Sequence, residues 1–210
     1  MKRIISALSL MLFTFTITLS QTRTTLKAGV TFPAISSNQS QDLQDVPNAV
    51  DYSMSTSFYI GATLDIPISN SFYFQTGGLF IGKGGKNEFY GNTEKIKTYY
   101  VEVPLNFLFK FPVGKQHVFL GAGPYFAMAV TGKNKLTNSS GQAYNTNITF
   151  GERFKRADAG LSFISGLECS KHLTLNVGYS IGLLNIRGQG ADYIFDRNKV
   201  LSAGLGYRIK

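Results

Sequence analysis

The stretch Tyr99–Pro112, YYVEVPLNFLFKFP, decides how the chain is read. Its odd positions, Tyr99, Val101, Val103, Leu105, Phe107, Phe109 and Phe111, are all apolar, while the even ones include Glu102, Asn106 and Lys110. Side chains of a strand alternate between two faces, so one face is continuous grease and the other carries charge. A half-buried strand of a water-soluble sheet has the same look. The next segment decides between them. From His117 to Thr131, Val118, Leu120, Ala122, Pro124, Phe126, Met128 and Val130 share one face, with His117, Gly121, Gly123, Tyr125 and Thr131 on the other. Both segments outrun an ordinary globular strand and are long enough to cross a bilayer at a tilt. The pair reads as part of the wall of a transmembrane β-barrel.

Working outward, six more segments alternate in the same way. They are Thr25 to Pro33, Ser55 to Ile66, Ser71 to Gly82, Ala157 to Cys169, the run from Leu173 to Leu183, and Lys199 to Lys210. The links after strands one, three, five and seven are long and polar; those after two, four and six are short. Outer-membrane barrels sort their connections this way, with short periplasmic turns and longer extracellular loops. The expectation is therefore an all-β chain: an eight-stranded antiparallel transmembrane β-barrel with short periplasmic turns, long extracellular loops and both termini periplasmic.

Composition agrees. The 210 residues are 43% hydrophobic and only 16% charged, with 22 Gly and 17 Phe, which suits strands that meet lipid on one side. Lys2 and Arg3, the apolar run Ile4 to Leu19, and small residues at Thr18 and Ser20 form a secretory leader. Residues 1–20 are thus expected to be a signal peptide and 21–210 the barrel domain. Cys169 stands alone, so no internal disulfide is available. Net charge is +9, and an exported basic chain meets anionic head groups rather than nucleic acid. The expected partners are outer-membrane lipid and lipopolysaccharide, with other envelope proteins as further candidates.

The stretches YYVEVPLNFLFKF, GAGPYF, ADAGLSFISGLE with LNVGYSIGLLNI, and the ending NKVLSAGLGYRI resemble the small outer-membrane β-barrel family described as porin-like or PorT-like. The resemblance spans residues 22–210. It implies residence in the outer membrane and an antiparallel barrel, and most members of that family have no assigned activity.

An eight-stranded barrel has an interior just wide enough for side chains to fill. The residues predicted to form an interior polar cluster are Lys27, Asp65, Glu102, Lys110, Glu168 and Arg208, with Lys27 placed beside both Asp65 and Arg208. Buried charge is costly unless paired, so mutual neutralisation is expected, with a narrow channel for small solutes or ions as the alternative. Pro104 and Pro124 should each mark a bulge or a lost ladder bond. Phe32, Phe80, Tyr99 and Tyr100 are expected near the outer interface, and Phe72, Phe111 and Tyr207 near the inner one.

Catalysis, metal and cofactor find no support. His117 and His172 both fall at predicted periplasmic turns, far from any outer-leaflet substrate, and neither has a second ligand at metal spacing. The GKGGK run at Gly82–Lys86 lacks phosphate-loop spacing and is predicted to be a flexible loop. The working surface is expected in the loops. The first is acidic (Asp42, Asp45, Asp51), and the third is basic, with Lys133, Lys135, Arg153, Lys155 and Arg156.

Overall fold

Residues 22–39, 51–151, 154–188 and 194–209 are described by the computed structural model. The predicted leader, the loop residues Asp42 and Asp45, and Arg153 lie outside them. The described residues form ten strands: β1 (Arg23–Gln39), β2 (Ser57–Pro67), β3 (Phe72–Phe89), β4 (Asn92–Pro104), β5 (Asn106–Val113), β6 (Gln116–Thr137), β7 (Ala143–Asn147), β8 (Ala157–Glu168), β9 (Leu173–Gly182) and β10 (Ile194–Arg208). β4 and β5 are two halves of one wall strand, and β7 only extends β6 into a hairpin. What remains is a ring of eight antiparallel strands, closed where β1 pairs with β10 from Thr25 opposite Arg208 to Gln39 opposite Ile194. Closure matters because lipid offers no hydrogen-bond partner to a free sheet edge.

The faces divide as the alternation requires. Ile60, Val101, Phe107, Leu120, Phe126, Val177 and Leu205 point outward and are exposed, whereas Lys27, Thr63, Asp65, Glu102, Lys110 and Asp158 are buried in the lumen. The two ends of the barrel differ. At one, residues 68–71, 114–115 and 169–172 make tight turns; at the other, β3 and β4 continue together to a turn at Tyr90–Gly91, and β6 and β7 form a second hairpin. These are called the turn end and the loop end.

Several expectations need correction. The long link expected between Gly82 and Tyr99, including GKGGK, is strand on either side of the turn at Tyr90–Gly91, because β3 and β4 keep pairing from Leu79 opposite Glu102 as far as Phe89 opposite Asn92. Lys133 and Lys135 also sit on a strand rather than a loop, since β6 runs on to Thr137. Tyr100 is not an interface residue: it is 1% exposed and faces the lumen. Pro104 ends β4, and the Leu105 N–H donates to the Pro124 carbonyl at 2.9 Å while Pro124 has no N–H to return, so a ladder bond is lost at this pair, one of the two outcomes expected of the prolines.

One irregularity re-aims a strand. Tyr99 pairs with Thr131 but Tyr100 with Ala129, leaving Val130 as an extra residue, a β-bulge. Below it the odd residues of β6, such as Phe119, Tyr125 and Ala129, are buried in the lumen. Above it Thr131, Lys133 and Lys135 are exposed, and Gly132 backs onto Ile148 instead. A one-residue slip exchanges the two faces of a strand, so Thr131 lies on the outer face and not, as strict alternation predicts, on the inner one.

Candidate functional site

Among the described residues the lumen holds two charged layers below the level of Asp196, which pairs with Arg187 at 2.9 Å. Nearest the turn end, the Lys110 ammonium lies 2.7 Å from Asp65 and 3.0 Å from Glu168, and Arg208 reaches Glu168 at 2.6 Å. Gln75 donates to Asp65 at 2.7 Å and accepts from Lys27 at 3.3 Å. Lys110 also stands 4.4 Å over the Tyr73 ring. Five of the predicted interior residues meet here, but Lys27 does not make the expected pairs with Asp65 and Arg208. In register it faces Gly61 on β2 and Gly206 on β10, while Asp65 faces Arg23 and Arg208 faces Thr25. Strand stagger moves the partners past it, and Gln75 fills the gap.

Glu102, predicted to join that cluster, belongs to a second layer nearer the loop end. Lys83 lies 2.7 Å from Glu102 and 2.9 Å from Asp158, with its side chain 0% exposed. Tyr125 and Asn198 donate to the same Asp158 oxygen at 3.2 and 3.0 Å. The ammonium also sits 4.1 Å over the Tyr125 ring and 5.2 Å over Tyr100. Lys83 was hidden from the sequence reading by its glycine-rich surroundings. Its parity on β3 matches that of Tyr73, Gln75 and Ile81, all inward, and was the available signal.

Between the layers is a cavity of about 60 Å³, lined by Lys27, Tyr59, Gln75, Glu102, Asn106 and Asn176 among others. Tyr59 donates to Asn176 at 2.7 Å, and Ser162 to Asn106 at 2.6 Å. The Tyr59 ring lies over a glycine pair: a Cβ on Gly29 would come within 2.6 Å of it, and one on Gly204 within 2.3 Å of its hydroxyl. Those two glycines face each other across the β1–β10 junction.

Above the second layer an apolar cap of Ile35, Ile96, Phe154 and Ile186 is buried, with Tyr52, Ile148 and Phe150 packed on it. Lys155 and Arg156 are exposed beside it, and Arg156 lies 5.1 Å over the Phe150 ring and donates to the Ala129 carbonyl at 3.3 Å. His172 stacks on Tyr207 at the turn end, its Nδ1 3.1 Å from the Arg208 carbonyl oxygen. Among the described residues no group of three His, Cys, Asp or Glu side chains is placed to hold a metal ion.

On the outer wall, Phe58, Phe80 and Tyr99 form one aromatic group, with Phe80 and Tyr99 stacked at 5.4 Å. Phe72, Phe109 and Phe111 form another near the turn end. Two aromatic levels bounding an apolar band on a closed ring define a transmembrane β-barrel. Over residues 19–188 the chain matches the outer membrane protein beta-barrel domain family, and it belongs to that family. It is similar to the solved structures of Ail of Yersinia pestis (14% identity, covering 89% of this chain and 98% of that one, TM-score 0.43), Neisserial surface protein A (13%, 88% and 96%, 0.46) and OprG of Pseudomonas aeruginosa (11%, 89% and 95%, 0.47). No curated relative matches it by sequence.

Proposed function

We propose that this outer-membrane barrel is a sealed, non-catalytic structural or surface-binding component, with its loop end at the cell surface and its tight turns and both termini in the periplasm. The observation that carries this reading is the filling of the lumen: two paired-charge layers and an apolar cap lie in series along its axis. Such a barrel is a rigid post, and what it does is done by the surface it holds up. The surrounding lipid and lipopolysaccharide are its first partners.

Planar-bilayer recording tests the seal. The folded protein is expected to give no steady ion current. A steady current that disappears when Glu102 or Lys110 is neutralised would establish the narrow-channel reading in its place.

A further inference from the structure

The bulge at Val130 turns Lys133 and Lys135 outward, where they join Lys86, Lys95 and Lys97 on one face just past the aromatic group at Tyr99. Lys95 is opposite Lys135, Lys97 is opposite Lys133, and Lys86 is opposite Lys95. Like charges directly opposite one another destabilise a sheet, and among the described residues only Lys86 of the five has an ion pair, with Glu88. Lys97 and Lys95 stand roughly 7 and 13 Å beyond Tyr99 along the strand, where a membrane gives way to its head groups. Beneath them the same wall carries a groove of about 810 Å³ between β4, β6 and β8, lined by Val101, Phe126, Met128, Ala157 and Ala159, with Arg156 at its upper rim. Apolar lining below and a cation cluster above is the pattern of one amphiphile read in two halves.

We propose that this face binds the phosphorylated, acylated sugar lipid that anchors lipopolysaccharide, with Lys95, Lys97, Lys133 and Lys135 on its phosphates and the groove on an acyl chain. The proposal rests on the orientation given above. The lysines form two rows about 7 Å apart in height, which suits a head group carrying several phosphates better than the single phosphate of a glycerolipid. Crowding is visible in Lys95, whose ammonium is held below the ordinary lysine range by partial burial first and then by Lys97, Lys86 and Lys135. A polyanion removes that conflict.

The test uses the folded barrel in non-ionic detergent, titrated with bisphosphoryl lipid A, its dephosphorylated form and phosphatidylglycerol, with bound lipid counted by native mass spectrometry. Bisphosphoryl lipid A is expected to bind about tenfold or more tightly than either of the others, and replacing all four lysines by Gln to remove that preference. Ala159→Leu, which fills the groove, should weaken lipid A without altering the effect of salt. Heat-dependent gel mobility confirms that each variant is folded. Equal binding by the four-lysine variant, or equal binding of phosphatidylglycerol, overturns the proposal. Orientation is read separately, by labelling intact cells with an impermeant thiol reagent at Ser139→Cys in a Cys169→Ser background. Labelling without lipid A selectivity sinks the lipid site alone; selectivity without labelling sinks the orientation and leaves the phosphate site standing.

Discussion

The two charged layers of the lumen are built from the same residue types but are out of balance in opposite directions. At the turn end three cations, Lys27, Lys110 and Arg208, face two carboxylates, Asp65 and Glu168. Nearer the loop end a single cation, Lys83, is shared by Glu102 and Asp158. Where cations are in excess, one is spare: Lys27 ends on the amide oxygen of Gln75 rather than on a carboxylate. Where the cation is outnumbered, everything passes through it, and the layer recruits Tyr125, Asn198 and two aromatic faces to hold the remaining charge. Position within a layer, not residue type, sets what each buried lysine contributes.

The comparison breaks most readily at Lys83. Lys83→Met leaves two buried carboxylates with no cation between them, and the barrel is expected to lose about 3–5 kcal/mol, measured by urea unfolding followed by circular dichroism. Lys27→Met removes the spare cation and leaves Lys110 between Asp65 and Glu168. Its expected effect is under about 1 kcal/mol in either direction, since the variant gives up the hydrogen bond to Gln75 but also sheds the cost of burying a charge that has no carboxylate partner. Comparable losses in the two variants would erase the distinction. The smallest effect belongs to the outer lysine face, which lies outside the membrane-spanning part. The barrel releases the Lys95 proton at lower pH than the unfolded chain does, so the unfolded state holds more protons between the two values and stability rises with pH across that window. The midpoint of heat-dependent mobility should move up slightly as pH approaches the ordinary lysine value, and Lys95→Gln should abolish the movement.

Much of the ring was legible because alternation is a local property. Phe58, Ile60, Leu120, Phe126 and Leu205 announce their face by parity alone, and so do Asp65, Lys110 and Asp158. The same logic failed where the chain departs from strict alternation. Nothing in AVTGKNK states that Val130 is an extra residue, yet that residue decides that Lys133 and Lys135, on the part of β6 beyond it, face outward. Partners inside the lumen were out of reach for a different reason. Which charges meet depends on the stagger between neighbouring strands, and stagger is a sum over the whole ring; Lys27 and Asp65 sit on adjacent strands and still face other residues. The extended hairpin of β3 and β4 was missed because glycine and lysine read as loop, although Ile81, Lys83 and Ile96 keep the inward parity.

The glycine pair under Tyr59 has a consequence for assembly. The first and last wall strands are far apart in the chain, so no short turn fixes the register of their junction. Displacing β10 so that Ser202 arrives opposite Gly29 drives a side chain into the aromatic ring. Displacing it the other way carries Asn176, which travels with β9, out of range of the phenol hydroxyl. A single tyrosine thus inspects the closure from both directions.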